Sequence, residues 1–128
     1  MAEYKLLING ELVNSSSGKT VEDIGPATGE WIAEVPFSSV EDVERAVDAA
    51  REAFDDGRWS GLPHAARAVA LEKLAMALEE HSSELAELDS LDAGKPIKLA
   101  RDSDIPFAID NLHFFAGCLL YTSDAADE

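Results

Sequence analysis

The sequence is poor in cysteine and in basic residues, and it has no long apolar run. A single cysteine, Cys118, allows no disulfide within the chain, which favours a reducing, cytoplasmic environment. Ten basic against 26 acidic residues give a formal net charge of −16, which argues against nucleic acid and anionic membranes as partners. No apolar run approaches the ~20 residues of a membrane-spanning helix, and the N-terminus does not resemble a signal peptide.

Motifs that mark catalytic and phosphate-binding sites are also missing. The eight glycines form no G-x-G-x-x-G pattern, and Gly94-Lys95 is followed by Pro96 instead of the Ser or Thr of a phosphate loop. The three histidines are too far apart in sequence for metal-ligand spacing. Cys118 lies in the apolar stretch "FFAGCLLY", where burial is expected to make a thiol inert. The residues alone therefore predict no catalytic and no cofactor-binding residue.

The first forty residues carry strand and turn signals. Asn9-Gly10 lies between two short β-favouring runs and predicts a two-residue hairpin. Residues 20–24 and 31–35 predict a second pair of strands. The stretch "PATGE" between them begins with a proline and has a glycine at its fourth position, which predicts a tight turn.

The remaining residues predict three amphipathic helices. The first follows a serine cap at position 38 or 39, the second is long and closes at Gly94, and the third follows position 103 or 104. Strands followed by helices predict an α+β fold. The apolar positions are Val43, Ala46, Val47, Ala50 and Phe54 in the first helix, Leu71, Leu74, Leu78, Leu85, Leu88 and Leu91 in the second, and Ile105, Ala108, Ile109, Leu112, Phe115, Ala116 and Leu119 in the third.

Six short segments occur in a fixed order: "ING", "PATGE", "EDVERAVDAAREAF", a tryptophan before the second helix, "LDAGKP" and "FFAG". In this order and spacing they resemble the N-terminal portion of the aldehyde dehydrogenase superfamily over roughly residues 4–117. One departure is Gly25, where the family usually has asparagine before "PATGE"; glycine meets the same backbone need in a turn.

The resemblance implies a fragment of the family's α/β coenzyme-binding domain, with N-terminal β-hairpins followed by three helices. We expect this part to cover residues 1–117 and residues 118–128, "CLLYTSDAADE", to form a non-matching, disordered or artefactual tail. The family oxidises aldehydes to carboxylic acids with NAD or NADP: a cysteine thiolate attacks the aldehyde, a hydride passes to the nicotinamide, and a glutamate base assists hydrolysis of the thioester. These catalytic residues and the coenzyme-binding strands lie beyond the matched region, so we expect the isolated chain to be inactive.

The resemblance also implies a monovalent cation, sodium or potassium, which many family members bind within each subunit. Matched residue by residue, its ligands here are the carboxylate of Asp92 and backbone carbonyls around Asp23 and Ile24, with a further family ligand past residue 128. Oxygen ligands near a helix C-terminus suit a hard cation. The alternative is that Asp92 only accepts hydrogen bonds from nearby backbone donors.

Two functions remain open. The first is a fragment of an NAD- or NADP-dependent aldehyde dehydrogenase, whose parent acts on an aldehyde substrate and forms a homodimer or homotetramer. The second is an acidic helical interaction module without catalytic activity. Apolar helix stripes suit either function. Because the helices would cover a sheet that these residues do not include, we expect exposed apolar surface and self-association or marginal stability.

Overall fold

The computed structural model describes residues 4–124, which form two compact units, one up to Gly61 and one from Leu62 onward. Two hairpins and a helix make up the first unit, and helices make up the second. The first contains β1 (Leu6–Ile8), β2 (Glu11–Val13), β3 (Thr20–Ile24), β4 (Trp31–Pro36) and α1 (Val40–Asp55). The second contains α2 (His64–Glu80), α3 (Ser82–Ala93), α4 (Ile97–Leu99), a π-turn (Ala100–Asp104) and α5 (Ile105–Asp124). This composition confirms the predicted α+β class.

The first hairpin forms where the Asn-Gly signal predicts it. β1 and β2 are antiparallel, with Ile8 opposite Glu11. Asn9 and Gly10 both have positive φ, 52° and 79°. Two successive positive φ values give a turn whose twist matches that of the flanking strands. A local sequence signal is sufficient here because the turn chemistry alone fixes the register.

The second hairpin is closed by the "PATGE" segment. The Gly25 N–H donates to the Glu30 carbonyl at 2.8 Å, and the Gly29 N–H donates to the Gly25 carbonyl at 2.7 Å. Gly29 has φ of 72°, a conformation that glycine adopts without steric cost. The β3–β4 register shifts between Asp23 and Ile24, which marks a β-bulge next to the turn.

The helix α1 begins at the predicted cap, but its apolar stripe is not buried. The Ser39 Oγ accepts from the Asp42 N–H, and the Asp42 carboxylate accepts from the Ser39 N–H, forming a capping box. Val47 and Phe54 are each 61% exposed, which agrees with the exposed apolar surface expected of helices whose covering sheet is not part of these residues. α1 packs on the short strand β1, which offers too little surface to cover a helix of this length.

The second predicted helix is divided, and its core consists of alanines instead of leucines. His81, with φ of −100° and ψ of 12°, separates α2 from α3. Leu74, Leu88 and Leu91 are about half exposed, contrary to prediction. Small side chains at a helix crossing let the two axes approach closely, which leaves the longer leucines at its flanks. The buried alanines are Ala68 and Ala75 in α2, Ala86 in α3, Ala100 in the π-turn and Ala116 in α5.

The last helix begins near the predicted position and packs along α2. Its Ile109 and Ala116 are buried, whereas Phe115 is 55% exposed. α5 continues to Asp124 and so passes the boundary predicted at residue 117. Residues 125–128 of the predicted tail lie outside the described residues, and the domain division stays a prediction. Within residues 4–124, no helix has both the length and the apolar character needed to span a bilayer.

Two glycines on these helices are expected to respond oppositely to alanine. A Cβ added at Gly117 in α5 meets nothing within 4 Å, so Gly117→Ala is expected to stabilise the chain by about 0.5–1 kcal/mol through lower unfolded-state entropy. Gly94 ends α3 with φ of 66°, so Gly94→Ala is expected to destabilise by about 1–2 kcal/mol. Urea unfolding followed by circular dichroism measures both changes in the free energy of unfolding. If the two changes have the same sign, the different backbone roles given to Gly117 and Gly94 are wrong.

Candidate functional site

Within residues 4–124, no group of three or more His, Cys, Asp or Glu side chains could hold a metal ion. Cys118 is half-buried on α5. Clusters of polar side chains lie around Asp42 and around Arg58 in the first unit and around Lys95 in the second.

Two of the predicted cation ligands lie at the β-bulge of the second hairpin. Asp23 pairs with Ala33 and Ile24 pairs with Trp31, so β4 contributes one residue more than β3 between these pairs. Asp23 is half-buried and Ile24 is 45% exposed. A bulge interrupts the regular ladder, and backbone groups near it are the ones that a strand can offer to a ligand.

The third predicted ligand, Asp92, lies one residue before the end of α3. Its side chain is exposed, and Gly94 follows in the left-handed conformation. The Ser90 Oγ donates to the Lys95 carbonyl at 2.7 Å, which closes the chain over the helix terminus. Asp92 belongs to the second compact unit, and the hairpin residues belong to the first. The cation set therefore stays a prediction.

Lys95, which the sequence analysis did not single out as functional, holds the segment after α3. Its Nζ lies 2.5 Å from the Asp89 Oδ2 and 2.7 Å from the Asp104 Oδ2. Hydrogen bonds to Asp104 and Asp89 raise the pKa of Lys95. Lys95 thus connects the last turn of α3 with the last residue of the π-turn. A lysine between a helix-ending glycine and a proline, with acidic residues on both sides, was the available signal.

Asp42 is the second feature that sequence reasoning did not anticipate in full. Its side chain is 1% exposed and accepts from the Ser39 N–H at 2.9 Å, the Ser15 Oγ at 2.9 Å and the Ser16 N–H at 3.1 Å. Arg45 Nη2 lies 2.6 Å from the other oxygen. The backbone hydrogen bond from Ser39, followed by Arg45 and Ser15, holds the pKa of Asp42 far below its usual range despite burial.

The Asp42 cluster joins the loop after β2 to the start of α1. The Ser15 Oγ also lies 2.6 Å from the Phe37 carbonyl oxygen, so the two acceptors share its single proton and the same hydroxyl contacts the chain just before the helix. The pattern Ser-x-x-Asp at residues 39–42 predicts the capping box but not the contacts with residues 15 and 16. Each polar atom named in this cluster has a partner. The cluster holds the loop after β2 against the start of α1, and its polar atoms are engaged in these hydrogen bonds.

Comparison with known proteins identifies what this scaffold belongs to. The model of the aldehyde dehydrogenase family matches residues 12–125 and so extends past the boundary predicted at residue 117. Aldehyde dehydrogenase 1 of Tanacetum cinerariifolium is 47% identical over 113 residues, which are 88% of this chain and 23% of that protein. Aminoacetaldehyde dehydrogenase of Pseudomonas aeruginosa is 42% identical over 123 residues, or 94% of this chain and 25% of that protein.

A solved structure shows the same fold. The NAD+ complex of aldehyde dehydrogenase from Bacillus cereus matches with a TM-score of 0.86 and 45% sequence identity, over 91% of this chain and 24% of that one. The chain thus spans about a quarter of the length of the relatives named here. With a family model over most of its length and close agreement in fold, the chain belongs to the aldehyde dehydrogenase family.

Proposed function

We propose that this chain provides the N-terminal flank of the coenzyme-binding domain in an NAD- or NADP-dependent aldehyde dehydrogenase. The whole enzyme oxidises an aldehyde to a carboxylate: water supplies the added oxygen, the hydride from the aldehyde carbon reduces the nicotinamide coenzyme, and two protons are released. The observation that carries the proposal is the match to an aldehyde dehydrogenase solved with NAD+, at a TM-score of 0.86 over 91% of the chain. An aldehyde is the substrate class that the family name implies.

In this proposal the 128 residues act as a scaffold and do not perform the chemistry. The carboxylate of Asp42 accepts from four donors, and those of Asp89 and Asp104 share the ammonium group of Lys95. Cys118 projects from the middle of a helix and is half-buried. A catalytic thiolate needs an electropositive, accessible setting, and the flanking residues of Cys118 are apolar or small.

The isolated chain is expected to have no dehydrogenase activity, whereas a graft into a relative is expected to be active. Residues 12–124 replace the matching segment of the Bacillus cereus enzyme, with which they share 45% identity. NADH production from acetaldehyde, followed at 340 nm, is expected within about tenfold of the parent enzyme, since the reacting groups are unchanged.

The control for this graft is the unmodified Bacillus cereus enzyme, with circular dichroism to verify folding of both proteins. A folded graft that binds NAD+ but turns over no aldehyde would contradict the proposal, as would a graft that does not fold. Coenzyme-dependent aldehyde oxidation by the isolated 128 residues would contradict the scaffold role.

We also propose that the parent binds sodium or potassium through Asp92 and the carbonyls around Asp23 and Ile24. The helix end beside Asp92 supports its part of this set, since the last carbonyls of a helix have no partners within the helix. Replacing potassium chloride with choline chloride is expected to lower the melting temperature of the graft by about 3 °C. Asp92→Asn is expected to remove this difference, and Asp110→Asn, an exposed aspartate on α5, is expected to keep it. Equal cation effects in both variants would contradict the site.

Assembly and location are proposed for the parent on the family relationship. We infer a cytoplasmic homodimer or homotetramer for the parent, as membership of the aldehyde dehydrogenase family implies. Light scattering of the full-length protein measures the number of subunits, and a monomer would contradict this part of the proposal.

The alternative function, an acidic interaction module without catalytic activity, is favoured by the exposed apolar residues of α1 and α5. Val40, Val43 and Phe54 on α1 and Phe107 and Tyr121 on α5 are each more than half exposed. Surfaces of this kind mark contacts with other protein surfaces. The two functions differ in whether the coding sequence continues into a Gly-rich coenzyme segment and a catalytic cysteine, which sequencing of the source DNA determines.

A further inference from the structure

The helix from Ile97 to Asp124 contains one turn that is wider than an α-helical turn. At the π-turn, the Ile105 N–H donates to the carbonyl of Ala100, five residues back, where an α-helix would bond four residues back. The backbone on both sides is regular right-handed helix, with Leu99 at φ −67°, ψ −47° and Ile105 at φ −67°, ψ −48°. The π-turn therefore takes up one residue more than an α-helix needs without breaking the helix.

This extra residue changes the helical phase, meaning the direction in which side chains point around the helix axis. At about 100° per residue, an uninterrupted α-helix would place Ile109 about 180° and Ala116 about 160° away from Ala100. Taking up one residue removes about 100°, so both residues lie within about 80° of Ala100. All three are buried, at 9%, 2% and 0% exposure. The π-turn thus brings three buried residues to one side of the helix.

The same shift moves two aromatic residues outward. In an uninterrupted helix, Phe107 and Phe114 would lie within about 40° of Ala100, on its buried side. With the π-turn they lie about 120° to 140° away, and they are 69% and 65% exposed. The sequence of α5 thus contains two apolar faces, and the π-turn determines which of them lies on the side of Ala100, in a helix whose π-turn packs against α3 and whose α5 packs against α2.

Lys95 is placed to hold the π-turn in this state. It bonds Asp104, the last residue of the turn, at 2.7 Å and Asp89 of α3 at 2.5 Å. If the π-turn became a regular α-helical turn, the helical phase would change and the Asp104 carboxylate would move away from Lys95. Lys95 would then keep only Asp89 as a partner. The ion pair therefore favours the wide turn over a regular one.

We propose that the π-turn is a phase-setting insertion, fixed by the Lys95 bridge, that directs Ile109 and Ala116 to α2 and keeps Phe107 and Phe114 at the surface. The device is conformational: removal of one residue from the turn leaves the packed face of α5 unchanged, whereas removal of one residue further along rotates part of that face away from α2.

The test is a pair of single-residue deletions read by thiol labelling. Cysteine is introduced at Ile109 or Phe114 in a Cys118→Ala background, and labelling at Phe114 is expected to be at least about tenfold faster than at Ile109. Deleting Ser103, an exposed residue of the π-turn, is expected to keep this ratio and to move the urea midpoint little, because the turn becomes regular helix.

The matched control deletes Asp110, an exposed residue between the buried Ile109 and Ala116. This deletion lies beyond the π-turn and cannot be absorbed there, so the labelling ratio is expected to fall and helix content to be lost. If the Ser103 deletion disrupts labelling and stability as much as the Asp110 deletion, the π-turn does not act as a phase insertion and the proposal is wrong.

The role of Lys95 is tested by hydrogen exchange. In Lys95→Met, amides of residues 100–105 are expected to exchange about tenfold faster, since the turn opens locally more often. Lys98→Met removes the same charge from an exposed position of α4 and is expected to leave the exchange of these amides unchanged. Lys95→Arg keeps the charge and is expected to retain most of the protection. If the amides of residues 100–105 exchange at the same rate in Lys95→Met, the ion pairs of Lys95 do not hold the π-turn, and this part of the proposal is wrong.

Discussion

Replacing Asp42 with asparagine is expected to lower the melting temperature of the first unit by about 10 °C. The carboxylate is 1% exposed and accepts from two backbone N–H groups, a serine hydroxyl and Arg45. An amide supplies a single acceptor oxygen and brings two donors towards groups that are themselves donors. Buried donors left without an acceptor are costly, and both the helix cap and the preceding loop depend on the same side chain.

Tryptophan fluorescence follows this effect selectively, because both tryptophans, Trp31 and Trp59, lie in the first unit. Asp48→Asn is the matched control: it removes the same charge from an exposed position on the same helix and is expected to shift the melting temperature by at most about 2 °C. Similar shifts in the two variants would mean that net charge, and not the Asp42 cluster, determines stability.

The lowered pKa of Asp42 also determines how the stability of the chain changes as the pH falls. Because folding lowers the pKa of Asp42, its contribution to stability is present in full above the unfolded pKa, near 3.8, and is lost as the pH falls below that value towards the folded-state pKa. In Asp42→Asn, stability between pH 5 and about pH 3 is expected to fall less steeply than in the parent chain. Fluorescence-monitored urea titrations at each pH measure the difference in slope.

Most of the first unit was predictable because its signals are local. An Asn-Gly pair requires two positive φ values, and a Ser-x-x-Asp pattern places a cap, so the residues that carry these features also determine them. The bulge at Asp23 and Ile24 was not predictable, since a register shift depends on how both strands pair and is not marked by either one.

The sequence did not predict which residues of the second unit are buried, because the most hydrophobic residues are not the most buried ones where helices pack closely. Leucine spacing predicts a leucine core, yet Ala75 and Ala86 are buried while Leu88 and Leu91 are about half exposed. The choice depends on the distance between helix axes, which the sequence of one helix does not contain. The π-turn escaped for a similar reason, since nothing in "ARDSD" distinguishes a wide turn from a regular one.

The candidate cation site could be predicted from the sequence only through the resemblance to the family. No spacing rule connects Asp92 with Asp23 and Ile24, which lie almost seventy residues earlier. Asp42 and Lys95 do form dense polar clusters: Asp42 has partners before the helix and in the loop after β2, and Lys95 has partners in α3 and in the π-turn. Clusters of that kind depend on tertiary structure, and a sequence pattern can identify one member of each at most.

Replacing Ala75 with leucine is expected to destabilise the second unit by about 3 kcal/mol, the second large effect. Ala75 is 0% exposed in α2, which packs along α5, and the buried residues on both helices are mainly alanines. A larger side chain at such a crossing must push the helices apart or adopt a strained rotamer. The hydrogen bond between the His113 Nδ1 and the Glu72 Oε2, 2.7 Å long, joins the same two helices and is expected to lengthen if they separate.

Circular dichroism at 222 nm, together with urea unfolding, measures this loss, because the second unit consists of helices. Ala77→Leu is the matched control, since it adds the same atoms at an exposed position of α2, two residues away, and is expected to change stability by less than about 0.5 kcal/mol. Tryptophan fluorescence is expected to report little change in either variant, because both tryptophans lie in the first unit. If leucine is tolerated equally at both positions, then the helices can separate at low cost, and close alanine packing does not hold the second unit together.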